Sequence, residues 1–394
     1  MPISVTAQEG TKTGSWIRKM FEQGLALAEK YGPDKVCDLS IGNPYMEPPS
    51  AVAAELRELA ESPEPGMHRY MPNAGYPETR AAMASLLATQ TGVLFTGDDV
   101  VMTCGTAGAL NCAFKALLDP GDEVITIAPY FFEYDAFAAN FGAVIRIVAS
   151  DDEFNPDCAA LSDAITPRTK AVILNSPNNP TGKVYSDAVL ERVARTLADK
   201  AQEYGIDIFA ISDDVYARIS FDGRPCPRMV NHYDDTIVVS SFSKDLSLPG
   251  ERIGYAAVHP HCRLRKDVVG GIVFANRVMG FVSAPALQQR LVTRLFDVTV
   301  DVAHYQTKRD FLFDNLTALG YSIVKPGGAF YMFPRSPIAD DVSFVNRLAE
   351  EMVLVVPGTS FAAPGYFRLS YCVDDATLRR SLDGFARAIA GHTR

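Results

Sequence analysis

Between residues 100 and 258 the chain alternates short apolar runs with longer segments whose apolar positions recur at helical spacing. The runs cover 100–103, 123–128, 143–148, 171–175, 206–212 and 236–240, and most are rich in Val and Ile. They are the length of strands and too short for helices. Helical patterns cover 77–90, 106–118 and 186–204. In the last of these Val189, Leu190, Val193 and Leu197 share one face, while Asp187, Arg192 and Lys200 stay outside. Strands apolar on both faces, alternating with amphipathic helices, predict an α/β fold: a mostly parallel sheet covered by helices on both sides. A seventh run, 252–258, follows the sixth too closely for a helical crossover, which needs about a dozen residues, so it is expected to join the sheet antiparallel.

Beyond Ser283 the texture changes. A long helical stretch is expected to about Leu319, then a Pro326-Gly327-Gly328 turn and a terminal helix. That helix carries Leu378, Leu382, Phe385 and Ile389 on one stripe, with Asp374 or Asp375 as its cap. This predicts a smaller α+β domain over 283–394, joined by an N-terminal arm over 1–45, beside a large domain over 46–282.

Composition narrows the function. The 394 residues hold 37 Lys+Arg against 47 Asp+Glu, a formal charge of -10, and no basic run, so nucleic acid is not an expected partner. No apolar run reaches the roughly 18 residues of a membrane span, and residues 1–14 lack the apolar centre of a signal peptide, which predicts a cytoplasmic protein without a membrane partner. Seven cysteines without C-x-x-C spacing read as reduced thiols. His259 and His261 flank Pro260, but the neighbouring Cys262 does not complete a ligand set, so the segment reads as a surface turn and no metal is expected.

Candidate chemistry collects where the runs end. Ser241-Phe242-Ser243-Lys244 closes the sixth run, with Arg252 eight residues beyond the lysine. Open α/β sheets bind ligands at the carboxyl ends of their strands. An amine buried there has a lowered pKa and attacks carbonyls, and an arginine with serine hydroxyls suits a phosphate. On their own, a lysine and an arginine after a strand are more often solvated charges. Three further strand ends change that balance: Ser176-Pro177-Asn178-Asn179-Pro180-Thr181-Gly182, Asp213-Asp214-Val215-Tyr216, and Cys104-Gly105-Thr106-Ala107-Gly108 opening a helix.

In this order the motifs resemble those of the fold-type I pyridoxal 5'-phosphate (PLP) enzymes, and within them the class I/II aminotransferases, over essentially the whole chain. The family pattern maps onto Gly105-Thr106-Ala107, Phe131, Asn179 to Gly182, Asp213 to Tyr216, Ser241 to Lys244, Arg252 and Arg368. The resemblance implies a seven-stranded large domain and a smaller one, with PLP as cofactor. Lys244 would hold it as an internal aldimine and act as general base and acid. Asp213 would pair with the pyridine nitrogen, and Tyr216 and Asn179 with the ring oxygen. Phe131 would stack on the ring, although neighbouring Phe132 leaves a plain core aromatic as the alternative.

For the phosphate the resemblance implies Gly105, Thr106 and Ala107, Ser241 and Arg252, with Ser243 a weaker candidate. Arg368 would clamp the substrate α-carboxylate, and Gly42, in Leu39-Ser40-Ile41-Gly42-Asn43-Pro44, would admit it close to backbone. Tyr70 corresponds to the residue that reaches the partner subunit's phosphate, implying a homodimer with composite sites. Arg277 is the nearest candidate for a second, distal-acid arginine, and Trp16, Met20, Phe21 and Phe330 for an apolar side-chain pocket, a packed hinge between domains explaining them equally well.

The implied reaction moves the amino group of an L-amino acid to a 2-oxo acid by a ping-pong route. Two alternatives stay open: a PLP-dependent lyase, decarboxylase or cyclase, and a non-catalytic PLP-binding protein. A nucleotide enzyme is disfavoured by the absence of G-x-G-x-x-G and G-x-x-x-x-G-K-[ST] patterns.

Overall fold

The computed structural model describes residues 16–390 and positions 3, 4 and 8, without the side chains of Ile17 and Phe21. Its centre is one sheet of β1 (Val100–Thr103), β2 (Glu123–Ile127), β3 (Val144–Val148), β4 (Thr169–Asn175), β5 (Phe209–Asp213), β6 (Thr236–Ser241) and β7 (Gly254–Val258). The order is β1-β7-β6-β5-β4-β2-β3. Only β7 runs antiparallel to its neighbours, β6 and β1, as its short connection requires. The fifth run starts at Phe209 rather than 206, because Ile206 N–H still bonds Ala201 O at the exit of the preceding helix.

Both sheet faces are covered. On one, helix Gly105–Leu117 packs against helix Arg265–Val278 and over β6 and β7. On the other, helix Asp187–Tyr204 buries the predicted Val189, Leu190, Val193 and Leu197 against β2, β4 and β5. Ser186 starts that helix by accepting from Val189 N–H, and Gly205 ends it at φ 63°. Among the described residues no helix is long and apolar enough to cross a membrane.

A second cluster unites the two ends of the chain. Cys37–Asp38 pairs parallel with Val353–Leu354, and Met20 and Leu39 pack with Phe330, Phe344, Phe367, Leu369 and Phe385. Beside them Phe367–Ser370 runs antiparallel between Val356–Pro357 and Tyr331–Met332. The terminal helix is Asp375–Ala390, and its cap is Asp374, which accepts from Thr377 N–H at 2.8 Å.

The long helical stretch expected after Ser283 is instead two helices, Ala286–Arg294 and Val302–Ala318. Asp301 accepts from the N–H groups of Ala303 and His304 and so begins the second as a separate helix. Ala286–Arg294 packs on helix Pro77–Thr91, with Leu291 and Val292 in the cluster beside β1 and β7. That helix therefore lies with the sheet, although it follows the expected division at 282/283.

Candidate active site

The carboxyl ends of β1, β4, β5 and β6 open on one cavity of about 750 Å³, closed from the opposite side by residues 41–43, Tyr331 and Arg368. Lys244 follows β6 and reaches back across it, its Nζ donating to the Gly42 carbonyl at 2.9 Å. The amine is partly open to the cavity and enclosed by protein elsewhere. Burial pushes its pKa down to about 8, and the Arg368 and Arg252 charges add to the push against an opposing Cys372 contribution.

Asp213, the last residue of β5, is buried. Its Oδ2 accepts from Tyr134 Oη at 2.6 Å and its Oδ1 from Val215 N–H at 3.4 Å. Burial raises its pKa to about 6, with these bonds acting in the other direction. Asn175 ends β4 and donates to the Asp213 carbonyl at 2.9 Å while accepting from Asn179 N–H at 2.7 Å, locking two strand ends together. Tyr216 stands edge-on to Phe330 and shares a 3.1 Å hydroxyl contact with Tyr331. Burial moves the Tyr216 hydroxyl well above the ordinary phenol range.

A cationic cradle lies at the first strand end. Gly105 opens its helix at φ 72°, and a Cβ there would stand 2.9 Å from Arg252 Nη2, so the missing side chain lets the helix terminus meet the guanidinium. Arg252 itself has φ 52° and anchors Nη1 on Pro249 O at 2.8 Å. Thr106, Ala107, Ser241 and Ser243 line the same end, with Ser241 Oγ donating to Ser243 Oγ at 3.1 Å. Thr106 Oγ1 is buried without a partner among the described residues. A helix N-terminus, a guanidinium and three hydroxyls make a set that could hold a phosphate.

Arg368 faces this cradle from Phe367–Ser370, with only 1% of its surface exposed. Nη1 donates to Asn179 Oδ1 at 3.1 Å and Nη2 to Ser40 O at 2.5 Å, while Nε has no partner among the described residues. The rings of Tyr331 and Phe361 flank the guanidinium at 4.6 and 5.0 Å. Gly42 is tight for the same reason: a Cβ there would fall 1.8 Å from Tyr331 Oη.

Phe131 lines the cavity, T-shaped to Tyr134, whereas Phe132 turns away to Phe361. Of the other expected residues, Tyr70 is 90% exposed and lies outside this chain's cavity. Arg277 is exposed on helix Arg265–Val278 with its guanidinium over Phe274, so it is not brought to the cavity. Among the described residues, Trp16, Met20 and Phe330 do not line the cavity as the expected apolar pocket would require. Met20 and Phe330 are wholly buried in the second core and Trp16 packs beside it, because these residues carry that core's closure. The Phe21 side chain lies outside the described residues.

From the same N-terminal helix it is Arg18, paired with Glu22 at 3.0 Å, that lines the cavity. Sequence reasoning passed over Arg18, and also Tyr134, Asn175 and Tyr331. Asn175 alone had a local signal, as the polar terminus of an otherwise apolar run.

Comparison with known proteins agrees with the geometry. The model of the family "Aminotransferase class I and II" matches residues 34–385. An aspartate/prephenate aminotransferase of Thermus thermophilus is 36% identical over 375 residues, covering 91% of this chain and 92% of that protein. Among solved structures, an amino transferase from Eubacterium rectale matches with a TM-score of 0.97 at 38% identity over 100% of both chains. The aspartate aminotransferase of Thermotoga maritima matches with a TM-score of 0.86 at 28% identity, over 98% of this chain and 99% of that one. The chain thus belongs to the class I and II aminotransferases, with the fold-type I architecture and the transaminase activity of that family.

Proposed function

We propose that the cavity binds PLP and transfers the amino group of an L-α-amino acid to a 2-oxo acid in two half-reactions. The observation that carries this reading is the convergence, on one cavity, of a lysine amine with a pKa near 8, a buried carboxylate and two separate arginines. Bound there, the cofactor supplies an aldehyde for amine exchange and a protonated pyridine ring that accepts electrons.

Each residue has a task that its position supports. Arg252, Ser241, Ser243, Thr106 and the N–H groups from Gly105 to Ala107 hold the phosphate; the orphaned Thr106 hydroxyl supplies a donor that the protein alone leaves unused. Asp213 would keep a proton on the ring nitrogen, Phe131 would cover one ring face, and Asn179 and Tyr216 would donate toward the ring oxygen. Lys244 Nζ would hold the aldehyde carbon and, once a substrate amine exchanged for it, would be the base placed to accept the proton of the substrate Cα. Arg368 receives the α-carboxylate, with its unpartnered Nε and the close backbone at Gly42 shaping that end.

The relatives named as aspartate/prephenate aminotransferases favour an acidic donor, and Arg18, although ion-paired with Glu22, is a further guanidinium on the cavity lining that a second carboxylate could engage. The exposed Tyr70 fits a homodimer in which each copy completes the other's phosphate site.

Absorbance spectra of the purified protein, recorded while amino acids are added one at a time, test the reading. Conversion of the bound cofactor to its amine form by a few amino acids, reversed by a 2-oxo acid, is the expected result. Release of ammonia or carbon dioxide without that conversion would instead identify a lyase or decarboxylase, and a protein that binds no PLP would overturn the proposal.

A further inference from the structure

At the opposite edge of the sheet, where β6 begins and β7 ends, three side chains converge that the cavity does not use. β7 runs out into His259-Pro260-His261, and Asp234 stands two residues before β6. Antiparallel pairing of Ile237 with Val258, and the bond from His259 N–H to Thr236 O at 2.9 Å, hold these two chain ends side by side. Asp234, His259 and His261 consequently offer one ligand atom each, all within 4.8 Å of one another. The two imidazoles meet edge-on with centroids 5.3 Å apart. His259 is buried, while Asp234 and His261 are exposed, so the cluster has a rigid floor and an open side.

The cluster presents a carboxylate and an imidazole lone pair to one point that no Lys or Arg of the described residues occupies. Nδ1 of His259 accepts the His261 backbone N–H at 3.0 Å, which leaves that nitrogen without a proton. Yet Asp234 Oδ1 faces the same nitrogen at 3.6 Å, and no Lys or Arg side chain pairs with this carboxylate among the described residues. A lone pair opposite a carboxylate oxygen is repulsive until a positive charge lies between them.

We propose that Asp234, His259 and His261 form a binding site for one divalent transition metal of the zinc class, with water filling the open positions. Two imidazole nitrogens and one carboxylate oxygen are a ligand set that zinc accepts, and neutral imidazole is the ligating form. In a tetrahedral shell with bonds of about 2.1 Å the ligand atoms stand roughly 3.4 Å apart, so small side-chain rotations of the two exposed residues close the set. The His261 N–H gives up Nδ1 and, being at an exposed residue, turns to water. Cys262 takes no part, being buried in the hydrophobic core and outside the cluster.

The site is separated from the cavity by the length of β6, about 17 Å at 3.3 Å per residue. Its role is therefore to clip the entry of β6 to the exit of β7 rather than to join the chemistry.

The test uses chelator-treated, PLP-loaded full-length enzyme titrated with zinc chloride by calorimetry, alongside His261→Ala and Asp234→Asn. One zinc per chain should be lost, or bound at least tenfold more weakly, in both variants, while their transamination rates stay at the wild-type value. Zinc should raise the unfolding temperature of the wild type only. With cobalt(II) in place of zinc, the spectrum should lack a thiolate charge-transfer band. Equal zinc binding by wild type and variants, a thiolate band, or no binding by the wild type would overturn the proposal.

Discussion

Tyr134 donates its hydroxyl to Asp213 Oδ2 at 2.6 Å, and both residues are buried. Burial makes the Asp213 carboxylate costly and lifts its pKa to about 6, while the tyrosine bond draws it back down. Burial and the Asp213 charge hold the Tyr134 hydroxyl well above its usual range, so it remains a donor throughout neutral pH. Tyr134→Phe should therefore raise the Asp213 pKa further and weaken its hold on the pyridine nitrogen. A hydrogen bond to a charged group is worth about 1.5–3 kcal/mol, so PLP affinity should fall roughly ten- to hundredfold. Titration of PLP into cofactor-free protein, followed by absorbance, measures it; unchanged affinity would remove Tyr134 from the site.

The same carboxylate makes stability depend on pH when no cofactor is bound. Its folded pKa, about 6, lies above the ordinary carboxyl value of 3.8, so between these values the native state binds more protons than the unfolded one. Stability contributed by Asp213 accordingly falls as pH rises through that window and stays low above it. Cofactor-free Asp213→Asn should be more stable than wild type at pH 7 by up to about 3 kcal/mol. The advantage should shrink below pH 6 and vanish below about 4. Urea unfolding across pH reads this directly, and a constant difference at every pH would contradict the buried-carboxylate account.

The central sheet was legible because burial on both faces leaves a strand no polar option: Ile237, Val238 and Val239 are all wholly buried in β6. That Lys244, Asp213 and Asn179 meet at one cavity was legible because their motifs follow strand ends in a recognisable order. Tyr134 and Tyr331 were not. Each looks locally like an ordinary core aromatic, and its hydroxyl acquires meaning only from a partner 79 or 115 positions away. The break between the two helices after Ser283 was hidden by Leu295, Phe296, Val298 and Val300, which keep the apolar texture continuous while they pack into two different cores. The turn at His259 and His261 lacked its third member because Asp234 comes from the other end of a strand pair.

Arg368 should separate substrate binding from cofactor binding. Its guanidinium is held by Asn179 and Ser40 while Nε stays unpaired, so the side chain is oriented before any ligand arrives. Arg368→Ala should weaken amino-acid binding by about a hundredfold, from the loss of one bidentate charged contact, and leave PLP affinity within threefold. Arg368→Lys should recover little, because an ammonium cannot reproduce the planar fork. Saturation of the amino-acid-induced absorbance change gives both constants; loss of PLP instead would assign Arg368 to the phosphate.

Gly105 offers a steric test of the phosphate cradle. Its φ of 72° disfavours any other residue, and a Cβ would press on Arg252 Nη2 at 2.9 Å. Gly105→Ala should cost about 1–2 kcal/mol of stability from the left-handed backbone alone. It should also displace the guanidinium and weaken PLP more than it weakens pyridoxal, which lacks the phosphate. Equal losses for the two ligands would mean that the cradle does not read the phosphate.

Lys244 gives a pH dependence of its own. Its amine is held near pKa 8 against the ordinary lysine value of 10.5, chiefly by burial. Between these values the unfolded chain binds the extra proton, so the stability of cofactor-free protein should rise as pH increases from about 8 to about 10.5. Below pH 8 the buried ammonium costs up to about 3 kcal/mol. Cofactor-free Lys244→Met should therefore be more stable than wild type at pH 7 and lose that advantage by pH 10.5. The same lowered pKa makes Lys244 the most nucleophilic amine facing the cavity at neutral pH, so borohydride reduction with PLP should label the peptide that carries it. In the variant that label should disappear while Arg252 and the Thr106 turn still bind the phosphate reversibly. A label that persists at another lysine would show that the amine anchoring the aldehyde lies elsewhere.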